Sequence, residues 1–236
     1  MGTLYMIRHG QASFGKDNYD KLSDLGEHQA KLLAAYFVRK KLNFDMIYTG
    51  TLLRHRETAQ SLIEAYKFNG FKPCEVKESK SFDEYDFKAI MKSIIPVLQA
   101  KNPQFNESLD LIFKNSREFQ YVFETAMIHW MSGNDNPPDL PSWNDFKDKV
   151  ADEINFIMQN TGKGKKIAIF TSGGPIAATI QKVLQLSDYM TLKITCQIIN
   201  SSVSRFKFNK ESIMLSVFND CNHLEIEERI DFITYI

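Results

Sequence analysis

Arg8, His9 and Gly10 stand together near the amino terminus, Arg54 follows in a basic segment, and Glu84 lies in an acidic, aromatic stretch. Much later come Thr171, Ser172, Gly173, Gly174 and Pro175, a run of small residues. Each group has something to offer a phosphate. Arginine is a permanent cation whose forked donors match phosphoryl oxygens. Gly173 and Gly174 are placed to open a helix, where free backbone N–H groups and the helix dipole can face an anion. Positive charge nearby disfavours imidazolium, so the His9 ring is expected to stay neutral with one nitrogen free to attack phosphorus. Moving a phosphoryl group from an ester oxygen to His9 leaves an alkoxide that must be protonated. Glu84 is the carboxylate assigned to that step, and later to activating water against the phosphohistidine. The scheme calls for no metal and no cofactor.

Plainer readings of the same residues stand beside these. Arg-His-Gly is a weak motif by itself, and Arg54 could be a solvated helix residue or the surface partner of Glu57. Glu84 could lie in an exposed turn, with Asp83 and Asp86 solvated next to it. Ser172 could cap a helix, the usual work of serine at such a position. His28 falls on the polar side of its helix. His129 and Trp130, with Phe113, Phe119, Tyr121 and Phe123, read as the aromatic core of a helical segment in preference to a substrate wall. The run Gly162-Lys163-Gly164-Lys165-Lys166 lacks the spacing of a nucleotide loop and precedes a strand, so it reads as a basic loop.

The chemistry requires three distant segments to converge. Residues 4–7 form a short apolar run of the kind that makes a buried strand, ending at Arg8. Helical spacing of Leu32, Leu33, Tyr36 and Phe37 after Ser23 predicts a helix over about 24–40. A second strand at 46–48 leads through Gly50 and Thr51 into a helix over roughly 52–66, with Arg54 in its first turn. Residues 83–141 show no convincing strand; helical stretches at about 89–98 and 111–131 precede Pro137, Pro138 and Pro141, so this span reads as a helical cap insertion. Ser142 and Asp145 form a capping-box pattern before a helix with Phe146, Val150, Ile154 and Ile157 on one face. Residues 167–170 read as a buried strand, followed by a helix starting near Pro175. Residues 203–208 and 213–218 read as a hairpin at the sheet edge. Strands alternating with helices predict a three-layer α/β/α fold with a mostly parallel mixed sheet. Junctions 8–10, 51–54 and 171–175 then meet at the carboxyl ends of their strands, where such sheets bind ligands.

Composition narrows the partners. The 236 residues carry 29 basic and 29 acidic side chains, so there is no overall field to attract a nucleic acid or an anionic membrane, and an anion must be caught locally. Cys74, Cys196 and Cys221 are odd in number and far apart, which reads as reduced thiols and a cytoplasmic setting. No stretch reaches the roughly 20 apolar residues of a membrane span, the first strand leaves no room for a signal peptide, and Met6 stands where a myristoylation motif wants Ser or Thr.

The stretch Arg8-His9-Gly10-Gln11, the run Tyr19-Asp20-Lys21-Leu22-Ser23 continuing through Gly26, Gln29 and Ala30, and Leu53-Arg54 with Glu57-Thr58-Ala59 resemble the histidine phosphatase superfamily, the phosphoglycerate-mutase-like group. Phe82-Asp83-Glu84-Tyr85-Asp86 is similar to its acid/base segment, and Phe170-Thr171-Ser172-Gly173-Gly174 to its late strand-loop-helix motif. The resemblance implies one domain over 1–236, with the insertion at 83–141 above the site. It also implies that His9 becomes phosphorylated, that Arg8 and Arg54 bind the phosphate, and that Glu84 moves the proton. Family members usually carry a second histidine where this chain has Ser172. Losing one preorganised donor typically costs about 3–4 kcal/mol, against a total enzymatic stabilisation of roughly 8–23 kcal/mol, so activity is expected to be weakened, not necessarily abolished. The Ser172 hydroxyl and the Gly173 N–H could recover part of the loss, or His55, His129 or His223 could move in. The expectation is a metal-independent phosphomonoesterase acting on a small organic phosphate ester. A phosphomutase and a catalytically weakened phosphate-binding protein are the alternatives.

Overall fold

The computed structural model describes residues 1–13, 20–111, 115–226 and 230–235. Strand β1 (Gly2–Arg8) is followed by α1 (Asp24–Arg39), β2 (Met46–Thr49), α2 (Leu53–Phe68) and β3 (Glu75–Glu78). After a 3-10 turn, Lys80–Phe82, come α3 (Phe87–Lys101), α4 (Pro103–Leu111), α5 (Ser116–Ser132) and α6 (Trp143–Asn160). The chain continues through β4 (Lys166–Thr171), α7 (Gly173–Leu184), α8 (Asp188–Thr195), β5 (Val203–Phe208), β6 (Ile213–Asp220) and the short α9 (Asn222–Glu225).

One sheet runs in the order β3-β2-β4-β1-β5-β6. The first four strands are mutually parallel; β5 is antiparallel to β1, and β6 to β5. Side chains alternate across a strand, and here both faces are apolar. Leu4, Met6, Ile167 and Ile169 pack on one face against Val150, Ile154 and Ile157 of α6 and Ile176 and Ile180 of α7. Tyr5, Ile7, Ala168 and Phe170 pack on the other against Leu33 and Phe37 of α1 and Leu62 of α2. The result is the three-layer α/β/α fold with a mixed, mostly parallel sheet. Each fully buried aliphatic side chain contributes roughly 1.5–3 kcal/mol, so the central strands are its firmest part.

Capping fixes the helix starts. The Ser23 hydroxyl accepts from the Gly26 N–H to open α1, and Ser142 and Asp145 make the reciprocal capping box of α6. Several details depart from the sequence reading. β3 is an additional strand whose four residues are exposed, so it carries no apolar signal and exists by pairing with β2. The span 89–98 extends into a longer α3 that passes through Pro96, held by its buried face of Ile90, Ile94 and Leu98, and α4 precedes the second long helix. The last helix of the parallel sheet starts at Gly173, which places Pro175 at its third residue instead of its first. α3, α4 and α5 share a separate apolar cluster that includes Phe105, Met127, Trp130 and Trp143. Trp130 is core as expected, but Phe119 and Tyr121 are exposed, and Phe113 lies outside the described residues. No helix among the described residues is long and apolar enough to cross a membrane.

Candidate active site

β2, β4 and β1 lie side by side and run the same way, so the segments leaving their carboxyl ends meet at one end of the sheet. His9 leaves β1 tied by its own backbone. Its N–H donates to the Thr171 carbonyl at 2.9 Å, and its carbonyl accepts from the Ser201 N–H at 3.1 Å and from Asn200 Nδ2 at 3.2 Å. The ring is oriented by two further contacts. His9 Nδ1 lies 2.6 Å from the Gly10 carbonyl oxygen, which can only accept, so the ring proton sits on Nδ1. Nε2 is then a bare lone pair, and it accepts from Arg54 Nε at 3.1 Å. Burial, followed by the charges of Arg54 and Arg8 and by His55, holds the His9 pKa well below its ordinary value. An uncharged imidazole with Nε2 exposed to the arginines is what nucleophilic attack on phosphorus requires.

Two glycines let the backbone come close enough. A Cβ on Gly10 would stand 2.3 Å from the Gly26 carbonyl oxygen, and one on Gly26 would stand 2.0 Å from that of Gln11. Around them, Gly10 N–H donates to Thr58 Oγ1, whose hydroxyl donates to the Arg54 carbonyl, while the Leu22 N–H donates to Glu57. Motif residues with no chemistry of their own thus lock His9 to α2.

Arg54 is buried and held by Asp20: Nη1 lies 2.6 Å from Asp20 Oδ1. The other oxygen of the same carboxylate accepts from the Leu53 N–H at 2.7 Å. Leu52 cannot cap α2 with its side chain, so Asp20 does it from another segment and orients the arginine at the same time. Arg8 donates to the Ile198 carbonyl, and its charge reaches both His9 and Glu84.

Glu84 is not in an exposed turn. Its Oε2 accepts from the Gly174 N–H at 3.1 Å, at the amino end of α7. A Cβ on Gly174 would be 2.0 Å from Glu84 Oε1, so only glycine leaves room. Desolvation in the pocket raises the Glu84 pKa, opposed by the Gly174 N–H and by Arg54 and Arg8. Next to it, the Tyr85 ring is wedged against Trp130, Trp143 and Phe146, which anchors the segment. Gly173, the first residue of α7, lies close to Glu84 in the same corner.

Ser172 and Asp83 depart from their plainer readings. Ser172 has the backbone position of a cap but no side-chain capping bond; its Oγ lies 2.6 Å from His55 Nε2. Asp83 is not solvated: it accepts from the Thr51 N–H and from the Thr51 hydroxyl, and its Oδ1 lies 3.7 Å from His55 Nδ1. Asp86 is exposed and caps α3. Of the three histidines that could have joined the site, His55 does so, with its ring centroid 5.6 Å from that of His9. His129 stays on α5, and His223 pairs with Ser201 at 2.8 Å. Sequence reasoning gave no role to Asp20, Asn200 or Ser201. Asp20 lay in the family-like stretch, the run Asn200-Ser201-Ser202 before β5 is the signal for the other two, and Ser201 takes the left-handed conformation (φ 59) that serine rarely adopts. Tyr19 lies outside the described residues. Among the described residues no group of three or more His, Cys, Asp and Glu is arranged to hold a metal ion.

Comparison with known proteins agrees with this fold. The family model of the histidine phosphatase superfamily (branch 1) matches residues 4–111 and 112–221. No curated protein sequence matches the chain. Among solved structures, a phosphoserine phosphatase from Entamoeba histolytica in complex with phosphoserine is 23% identical, with a TM-score of 0.61 over 95% of this chain and 100% of that one. A phosphoglycerate mutase from Bacillus anthracis is 17% identical, with a TM-score of 0.65 over 96% of both chains. A mycobacterial glucosyl-3-phosphoglycerate phosphatase is 19% identical, with a TM-score of 0.58 over 92% of this chain and 98% of that one.

Proposed function

Because the chain belongs to the histidine phosphatase superfamily, we propose that it is a phosphatase that removes phosphate from a small organic ester through a phosphohistidine on His9. The observation that carries this reading is the fixed tautomer of His9, with Nδ1–H bound to the Gly10 carbonyl and Nε2 facing Arg54. A phosphoryl group entering between the two would take over the arginine donors on its oxygens while phosphorus faces Nε2. Arg8 supplies the second cation, with the Ser172 hydroxyl and the Gly173 N–H as further donors. Glu84, whose carboxyl pKa is raised by burial, gives its proton to the departing oxygen. The resulting carboxylate then takes a proton from the water that attacks phosphorus and releases His9. Similarity to phosphatases acting on phosphoserine and on glucosyl-3-phosphoglycerate supports an ester of modest size. In the same reading residues 1–236 act as one domain, and the helices within 83–141 form a cap whose side chains select the ester.

His9→Ala tests the reading. Hydrolysis of an aryl phosphate should vanish while thermal unfolding is unchanged, and undiminished turnover would falsify the proposal. With a phosphoglycerate as substrate, inorganic phosphate is the expected product; isomerised phosphoglycerate would mark a mutase instead.

A further inference from the structure

His55 is fully buried, sits beside the reacting histidine, and has no part in the mechanism above. Its surroundings are specific. Nε2 lies 2.6 Å from Ser172 Oγ, and Ser172 is itself fully buried in the strand-end wall, one residue after the carbonyl that holds the His9 N–H. Nδ1 faces Asp83 Oδ1 at 3.7 Å, beyond hydrogen-bond reach, and makes no hydrogen bond. The ring has this place because residue 50 lacks a side chain: a Cβ on Gly50 would be 2.1 Å from His55 Nδ1 and 2.6 Å from Asp83 Oδ1. Burial, then the charge of Arg54, keeps the ring uncharged.

A neutral imidazole carries one N–H. On Nδ1 that proton would face Asp83 Oδ1 at 3.7 Å, too far to bond; on Nε2 it has Ser172 Oγ at 2.6 Å, within hydrogen-bond distance. With Nε2 as donor, one lone pair of the serine oxygen is filled, and the hydroxyl's own hydrogen is left to donate to another acceptor. A lone serine hydroxyl rotates to whichever acceptor is nearest, including the backbone of its own helix. A serine whose oxygen is pinned by His55 is a preorganised donor.

We propose that His55 is a positioning residue for phosphoryl transfer, acting through Ser172: it fixes the serine hydroxyl so that this group donates to a phosphoryl oxygen as charge builds in the transition state. The histidine the family carries at position 172 is thereby replaced by two residues 117 positions apart. This rests on the phosphohistidine reading, but the two fail separately.

The test is a cycle of variants assayed on an aryl phosphate. His55→Ala and Ser172→Ala should each lower kcat by about 10²–10³ with KM nearly unchanged, the mark of a donor used in the transition state. Because one residue acts through the other, the double alanine variant should be no slower than either single one. Independent, multiplying losses would overturn the proposal. Ser172→His in the His55→Ala background puts an imidazole into the vacated space and should recover most of kcat, which a merely structural role for His55 does not predict; failure to recover also counts against the proposal. Ser172→Ala removes a single oxygen, so it stays informative if the ring deletion impairs folding. If His9→Ala is inactive while His55→Ala matches the parent, only this inference falls. If His9→Ala keeps full turnover, the phosphohistidine reading itself falls.

Discussion

Around His9 the chain is tied by polar contacts of set direction: the ring between Gly10 and Arg54, Arg54 on Asp20, Glu84 on the Gly174 amide, His55 on Ser172. Helices α3 to α5 cohere differently. Ile90, Ile94, Phe105, Met127 and Trp130 pack as an apolar cluster, and Phe87, Phe119 and Tyr121 remain exposed at its surface. Directional contacts fix atoms to a fraction of an ångström, as transfer of a phosphoryl group requires, and tolerate almost no change of residue type. Apolar packing asks only for volume and periodicity, so its residues can vary widely. The contrast predicts that changes at the strand ends cost more in rate than in stability, and that changes in the helical segment cost stability without rate.

After His9, the largest expected effect is at Glu84. Glu84→Gln keeps the shape and the acceptor for the Gly174 N–H but removes the exchangeable proton, so kcat should fall by roughly 10²–10⁴. The pH profile should change as well. Burial raises the Glu84 pKa, so the parent loses its proton donor as pH rises through that raised value, while the depressed His9 pKa moves the acid limb below the usual histidine range. The variant should lack the alkaline limb. Stability follows the same sign: a raised carboxyl pKa favours the folded state below the ordinary glutamate range and loses that contribution as pH climbs through the folded value. Glu84→Gln should remove this alkaline loss in thermal unfolding. Wild-type kcat in the variant would break the comparison at its strongest point.

A middle-sized effect is expected at Ile94, fully buried on α3. Ile94→Val removes one methylene and should cost about 0.5–1.5 kcal/mol, read as a lower denaturant midpoint at unchanged slope. Turnover of a small aryl phosphate should stay at the parent's value. A fall in kcat would mean that packing in the helices is transmitted to the strand ends, most directly through Tyr85, which touches Trp130 on one side and adjoins Glu84 on the other.

Which parts were legible follows from the same physics. β1, β4 and the helices on either face announce themselves because their apolar residues recur at the period of the element that buries them. β3 does not: Glu75, Val76, Lys77 and Glu78 are all exposed, and nothing local separates them from a loop. For the proposed site, Arg8, His9 and Arg54 stood out by residue type and by position after predicted strands, whereas Glu84 rested on the family resemblance. His55 could not be ranked above His129 or His223, because its placement depends on the bare Gly50 and on a serine far along the chain. Asp83 looked solvated for the opposite reason. Its acidic neighbours suggest a surface turn, whereas its partner Thr51 sits 32 positions earlier. Residue type survives in a sequence; long-range pairing does not.

The smallest effect, and the one that most sharpens the contrast, is at Phe119. The residue is 49% exposed, and its ring stacks only loosely on Phe123, with centroids 6.4 Å apart. Phe119→Ala should therefore change stability by no more than about 0.5 kcal/mol, the range of surface substitutions away from any specific feature. Burying a whole phenylalanine is worth several times that, so the measurement distinguishes an exposed ring from a covered one. A loss above about 1 kcal/mol in chemical denaturation would place the Phe119 ring inside a packed interface in solution. The helical segment would then be held as tightly on its outer side as on its inner one, and the expectation that its surface is free to vary would fail.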